Sequence, residues 1–364
     1  MACATAGCGG AQASTNTAPA TIARPRPARL RTVHLTIEAN GDLLIHSPIW
    51  QRAQRLAGGS GYDFAPLLRY VKPYVSSADL ALCHVETPMT SAPPTGYPVF
   101  NTPPALARAI EQTGWDACDT ASNHSLDQGQ AGIASTAAAL DHAHIRHTGS
   151  FAQPAGQRRT LIMRAKGVRV ALLAYTEMTN GIPLPHPWSV NLAHADRILA
   201  DARRARRRGA RVVIVNLHWG TEDVSMPDAF QRRLADRLTR SRAITAVVGQ
   251  HVHVVQPVAR VNGRIVVFGE GNLLSNQTPA CCAAGSQDGL LALLRIDVTG
   301  NRARLRRVRY VPVWVRHPDY AVLPIGDALH RHLADPGELR ASYARTVGVA
   351  GRGRGISPLP ARLP

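Results

Sequence analysis

Thr120-Ala121-Ser122-Asn123-His124-Ser125-Leu126-Asp127-Gln128-Gly129 is the stretch on which the reading of this chain turns. The run from Trp115 to Ala121 is strand-like and ends in small residues, and Gly129 opens an Ala-rich helical stretch that extends to His142. An Asn-His pair therefore stands at the carboxyl end of a strand, where open α/β sheets bind their ligands. Asn offers a neutral oxygen, and His offers a metal ligand or a proton donor. Such pairs also serve in plain turns, so the meaning of this one depends on the other strand ends.

Those ends carry the same kind of residue. Val33–Ala39 alternates as a strand does and stops at Asn40-Gly41-Asp42, and a second strand, Asp79–Val85, stops at Glu86. The apolar run Arg211–Leu217 ends at His218-Trp219-Gly220. Ala243–Val248 leads into Gly249-Gln250-His251-Val252-His253, where two imidazoles spaced two apart on an extended segment would face one side. Helices are expected near Trp50–Leu56, over Phe64–Tyr74, Leu106–Gln112 and Leu192–Arg207, and across residues 227–240. Leu161–Met163 and Val168–Tyr175 read as paired strands, and Val255–Val261 with Arg264–Phe268 as a hairpin across Asn262-Gly263. Leu290–Val298 and Ala303–Val315 follow as long strands. Ser91–Pro104, with five prolines and a glycine, is a loop expected to border the site. Strands alternating with helices, followed by a run of strands, predict an α/β sandwich with two central sheets.

Two carboxylates (Asp42, Glu86), one amide (Asn123) and several imidazoles (His218, His251, His253) form a hard-to-borderline donor set. Such a set suits zinc, manganese or iron rather than copper or calcium, and two such ions would clamp a substrate as in two-metal hydrolases. Each residue alone has a plainer reading: a turn aspartate, a surface glutamate, a satisfied core histidine. Five strand ends in order argue against five coincidences.

The 364 residues carry 42 Lys+Arg against 24 Asp+Glu, a net +18 that is almost all Arg, with 45% hydrophobic residues. The basic residues are dispersed, and their densest runs, Arg203–Arg208 and Arg302–Arg309, lack interleaved aromatics or a nucleic-acid module. No specific nucleic-acid partner is expected, and the charge is read as an Arg-for-Lys bias that also suits an anionic polymer or membrane surface. No stretch reaches the roughly 18 apolar residues of a membrane-spanning helix. Residues 1–31 read as a disordered leader. Within it, Thr5-Ala6-Gly7-Cys8-Gly9-Gly10 is similar to the end of a bacterial lipoprotein signal with Cys8 as the lipidated residue, although the apolar segment that should precede it is missing. None of the cysteines forms a CxxC pair. Cys281 or Cys282 is expected to pair with Cys83 or Cys118 if the compartment is oxidising. The tail from about Gly348 is rich in Gly, Arg and Pro and is expected to be disordered.

Taken together, Gly41-Asp42-Leu43-Leu44, Val85-Glu86-Thr87, Ala121–Gly129, His218-Trp219-Gly220-Thr221-Glu222, Gly249–Pro257 and Gly269-Glu270-Gly271-Asn272 resemble the CapA capsule-biosynthesis proteins over about residues 33–315. That family is associated with making or exporting poly-γ-glutamate, and is in turn similar to the calcineurin-like metallophosphoesterases. The resemblance implies a four-layer α-β-β-α sandwich of the metallo-dependent phosphatase type, with one or two divalent ions (Zn, Mn or Fe). It implies a leader over residues 1–31, the CapA-like domain over 32–320, and a C-terminal extension over 321–364. By position, Asp42 would hold the first ion and Glu86 would bridge. Asn123, His218 and His251 would hold the second, His253 would return to the first, and His124 would protonate a leaving group. Asp127 would cap the next helix or fix His124, with the cap favoured; Glu222 and Asn272 would stand behind the ligand imidazoles. One departure is marked. The phosphoesterase Asp-x-His opening calls for His at 44, where this chain has Leu44, and His46 is expected to cap the following helix instead.

The expected function is metal-assisted hydrolysis or transfer on an anionic polymer such as poly-γ-glutamate, outside the cytoplasm and anchored through Cys8. A cytoplasmic location stays open if Met1 is the true start. The expected partner is that polymer or a membrane-bound capsule synthase. The alternative is a non-catalytic polymer-binding or assembly factor built on a degenerate metal site.

Overall fold

The computed structural model describes residues 1–14 and 31–363. Residues 1–14 of the leader expected over 1–31 carry no regular secondary structure, and its residues 15–30 lie outside the described residues. The compact unit starts at Thr32.

Its elements begin with β1 (Thr32–Leu43), α1 (Ser47–Leu56), α2 (Ala65–Leu68), α3 (Lys72–Ser76) and β2 (Leu80–Val85). Next come α4 (Ala105–Thr113), β3 (Ala117–Asp119), α5 (Gly129–His142), β4 (Arg146–Thr148) and α6 (Pro154–Arg158). The middle is β5 (Leu161–Ala165), β6 (Val168–Thr176), α7 (Ala195–Arg207), β7 (Val212–His218), α8 (Ala229–Arg240) and β8 (Ala246–Gln250). Then follow β9 (Val258–Val261), β10 (Arg264–Val267), β11 (Asn272–Leu274), β12 (Asp288–Thr299) and β13 (Arg302–Arg316). The chain closes with β14 (Ala321–Pro324), α9 (Ile325–His330), α10 (Pro336–Ala350) and β15 (Ile356–Pro358).

One nine-stranded sheet has the order β14-β13-β12-β1-β2-β3-β4, with β11 against β1 and β15 against β13. The second has six strands in the order β5-β6-β7-β8-β10-β9. Leu35, Ile37, Leu82, Val170, Ile214 and Val248 pack between the sheets. Outside the first sheet, Ala81, Cys83 and Val85 pack against the first helices; outside the second, Val213, Val215 and Leu217 meet α7 and α8. With both faces covered, the central strands carry long apolar runs, broken by polar residues chiefly towards the ends that form the site, and the result is the four-layer α-β-β-α sandwich.

Strand alternation positions the site. On β2, β3 and β7 the residues facing the other sheet are Leu80 and Leu82, Ala117, and Val212 and Ile214. The same parity carries His84, Asp119, Asn216 and His218 inward at the strand ends. On β1 the inward residues are odd, Ile37 and Ala39, so Asp42 would face outward on an uninterrupted strand. A register shift between Ala39 and Asp42 inserts one residue, pairing Ala39 with Leu82 and Asp42 with His84. This bulge brings Asp42 onto the inner face.

Several expectations are corrected. Phe64–Tyr74 is not one helix but α2 and α3, because Pro73 lacks the N–H that would bond Arg69 and instead starts the second helix. Residues 321–363 are part of the same compact unit. The tail is ordered: β15 runs parallel to β13, Ile356 enters the inter-sheet core, and the Tyr310 hydroxyl donates to Gly351 O at 2.8 Å. The disulfide joins Cys83 to Cys118, register partners on β2 and β3, whereas Cys281 and Cys282 are free on a loop. Among the described residues, no helix is long and apolar enough to cross a membrane.

Glu38 faces the outer side of β1, fully buried, with Trp115 Nε1 donating to its Oε2 at 3.0 Å and its Oε1 unpartnered. Burial lifts this carboxyl from the ordinary 4.5 to about 8, against the Trp115 hydrogen bond. Between those values the folded protein holds a proton that the unfolded chain has released, so stability falls as pH rises through the window. Glu38→Gln is expected to flatten that slope and to add on the order of a few kcal/mol at pH 8. Urea melts at pH 5 and pH 8 check it; parallel pH dependence in both proteins would refute it.

Candidate metal centre

Three strand ends and two turns converge between the sheets. Asp42, Glu86, Asn123, His218, His251 and His253 are all buried there. His218 is the hub: its Nε2 lies 2.8 Å from Asn123 Oδ1, 3.1 Å from His251 Nδ1 and 3.8 Å from Glu86 Oε1, and its Nδ1 lies 3.8 Å from Asp42 Oδ1. His253 places Nδ1 3.2 Å from Asp42 Oδ2 and Nε2 3.7 Å from Glu86 Oε1.

The turns that aim these groups are built locally. The Ser122 hydroxyl donates to Glu86 O at 2.6 Å, and the Ser125 hydroxyl donates to Thr120 O at 2.8 Å, locking the Asn123-His124 turn to the end of β2. His251 and His253 do not lie on an extended segment. β8 ends at Gln250, and both histidines take positive φ, 94° and 57°. Such backbone is uncommon for a non-glycine residue, and here it turns both imidazoles towards Asp42 and His218. His251 N donates to both Asp42 carboxylate oxygens at 3.2 and 3.3 Å.

His124 sits beside the cluster with Nδ1 2.7 Å from Asp127 Oδ2 and its ring against Phe100 at 4.7 Å. Asp127 therefore fixes the imidazole and does not cap α5; its Oδ2 also accepts from Phe100 N at 2.7 Å. Phe100 belongs to the Pro-rich loop, which borders the site through that ring. His46 precedes α1 but makes no side-chain cap. Its Nδ1 lies 3.3 Å from Asn276 N, and its ring packs on Phe100, so it stands apart from the ligands. Asn272 Oδ1 lies 3.2 Å from His253 Nδ1. Glu222 approaches His251 and His253 from the exposed side. Trp219 stacks on Phe268 in the core, and its Nε1 donates to Phe268 O.

Burial opposes ionisation of Asp42, yet the hydrogen bond and charge of His253 hold it below the ordinary carboxylate range. Burial pushes Glu86 up, and pushes His218 well down with His251 and His84 adding to it. For His124 burial would lower the imidazole, but the Asp127 hydrogen bond and the Glu86 charge leave it raised.

The donor set fits a divalent cation. Both Glu86 oxygens and His218 Nδ1 are buried without hydrogen-bond partners, a costly state unless another group meets their lone pairs. The separations near 3 Å match ligand atoms sharing one ion with bonds of about 2 Å. Asp42, Glu86 and His253 present donor atoms within 4.8 Å of one another, as do Glu222, His251 and His253.

His84, Asp119, Asn216 and Gln250 escape the sequence reading. His84 is 2.7 Å from Asp119 Oδ1, Asn216 Nδ2 donates to Asp119 Oδ2 at 2.8 Å, and Gln250 Nε2 donates to Glu270 at 2.9 Å. The available signal is a polar residue interrupting an apolar run at the inward parity, as His84 interrupts Leu80–Val85 two residues before Glu86.

A two-sheet sandwich with carboxylates and imidazoles at its strand ends is the class that fold and site define. The chain matches the model of the bacterial capsule synthesis protein PGA_cap over residues 36–277 and belongs to that family. It is 25% identical over 254 residues to the capsule biosynthesis protein CapA of Bacillus anthracis, covering 67% of this chain and 60% of that one. To the PGA biosynthesis protein CapA of Bacillus subtilis it is 22% identical over 219 residues, covering 58% and 57%. The matched region thus spans about 60% of the length of these relatives. Among solved structures it is similar to the calcineurin-like phosphoesterase YfkN of Bacillus subtilis (TM-score 0.49, 13% identity, 86% of this chain and 100% of that one). It is also similar to a 5'-nucleotidase precursor of Thermus thermophilus (TM-score 0.47, 14% identity, 87% and 59%).

Proposed function

We propose that this protein is a metal-dependent hydrolase or transferase of capsule biosynthesis or export, acting on an anionic polymer of the poly-γ-glutamate type. The observation that carries the reading is the convergence of Asp42, Glu86, Asn123, His218, His251 and His253 with partnerless buried donor atoms at the strand ends. A divalent ion held there would supply Lewis acidity and acidify bound water. His124, whose Nδ1 is engaged by Asp127, keeps Nε2 as the position from which a proton reaches the leaving group. The Arg-rich surface favours an anionic chain by charge. The Cys83–Cys118 disulfide supports an oxidising, extracytoplasmic setting, with Cys8 as the lipidation site and a membrane-bound synthase as a partner.

Leu44 favours a second reading, a polymer-binding or assembly factor without turnover. It is buried where the phosphoesterase pattern supplies an imidazole, and its N–H pairs with Leu274 O.

Metal content separates them. Purified wild type is expected to carry two divalent equivalents, with loss in both His218→Ala and His253→Ala, and to shorten poly-γ-glutamate. One equivalent lost only in His218→Ala would leave a single-ion centre. No metal in a folded protein would remove the hydrolase and leave the binding factor.

A further inference from the structure

We propose that His84 is a metal ligand on the Asp42 side of the centre, replacing the imidazole that Leu44 leaves out. The inference rests on the metal-centre reading above and adds a ligand to it.

Asp42, His84 and Asp119 occupy one row across β1, β2 and β3, each in register with the next. The row faces the second sheet, and its position depends on the bulge that turns Asp42 inward. His84 is fully buried. Its Nδ1 donates to Asp119 Oδ1 at 2.7 Å, and Asp119 Oδ2 accepts from Asn216 Nδ2 at 2.8 Å, so the neighbouring sheet holds the carboxylate in place. Ligand histidines characteristically give their second N–H to a carboxylate in this way, which fixes the tautomer and raises basicity.

That arrangement leaves the Nε2 lone pair as the free donor. Nε2 has no hydrogen-bond partner, and it points to Asp42 Oδ1 at 3.5 Å. The ring lies over His218 at 4.7 Å with planes 28° apart, and donor atoms of Asp42, His84 and His218 fall within 4.8 Å of one another. The large majority of buried polar side-chain atoms are hydrogen-bonded. Here one is anchored and the other is aimed at the carboxylate expected to hold the first ion. His46, the nearer candidate along the chain, has its Nδ1 against Leu44 O and Asn276 N.

The test uses the full chain in wild type, His84→Ala, His84→Gln and Asp119→Asn forms, loaded with Zn(II) or Co(II) and dialysed. Equivalents per chain and the Co(II) visible spectrum are read, with circular dichroism as the folding control. Direct ligation predicts loss of one equivalent and an altered Co(II) spectrum in His84→Ala. Asp119→Asn is expected to keep the stoichiometry and weaken that ion about 10–100-fold. If His84→Ala fails to fold, the same spectral change is expected in His84→Gln. Wild-type stoichiometry with an unchanged Co(II) spectrum in either folded His84 variant overturns the proposal. So does tighter metal binding after its removal, which would make His84 an internal counter-charge to Asp42 and Asp119. Absence of metal from wild type would instead sink the metal-centre reading itself, and this inference with it.

Discussion

Under the proposed hydrolase reading, His124→Ala is expected to slow poly-γ-glutamate turnover by about 10²–10⁴-fold, the usual worth of a positioned general acid, while metal content and melting temperature stay near wild type. The separation of effects follows from where the side chain sits. His124 donates to Asp127 and packs on Phe100, whereas Asn123, the residue before it, reaches His218. Removing the imidazole therefore leaves the donor cluster assembled. It takes away an imidazole beside the cluster that the Asp127 carboxylate orients and whose proton is favoured by that hydrogen bond and by the Glu86 charge. Metal-loaded wild type and variant are compared on polymer of defined length by size-exclusion chromatography. Equal rates would remove His124 from the chemistry.

Gly41→Ala is expected to destabilise the fold by on the order of 3 kcal/mol or more, through overpacking against backbone rather than lost contacts. A Cβ at position 41 would lie 1.8 Å from Gly271 O and 2.7 Å from its carbonyl carbon. Neither strand can retreat easily, because Asp42 N donates to Gly271 O at 3.0 Å and Asp42 is paired with both Asn272 and His84. The bulge that orients Asp42 would have to shift, so metal affinity is expected to fall along with stability. Gly348→Ala in α10 is the control: nothing lies within 4 Å of its added Cβ, and the change is expected to be neutral or to stabilise by up to about 1 kcal/mol. Urea denaturation of the three proteins checks both; a Gly41→Ala midpoint equal to wild type would disprove the account.

Legibility differed from residue to residue. Asp42, Glu86, Asn123, His218, His251 and His253 could be picked out because each interrupts or ends a strand pattern with a polar group, a local event in the chain. Asp127 could not be resolved between cap and positioning partner, since both roles need the same spacing from His124 and differ only in rotamer. The cysteine pairing went to neighbours in register on adjacent strands, a relation across 35 residues that spacing does not reveal. The ordered tail escaped because Ile356 is a single apolar residue in a Gly- and Arg-rich context, and its place in the core exists only once β13 is there to pair with it.

By itself the sequence determined the two-sheet sandwich and six of the clustered donors: apolar runs with period two or three and a half are local consequences of burial, and polar residues at their ends are local exceptions. Tertiary structure alone decided which donors meet and which are oriented. A one-residue bulge in β1 set the face of Asp42, and Asn216 from the opposite sheet anchored Asp119 beneath His84. Both depend on distances between strands far apart in the chain, for which a linear pattern carries no signal.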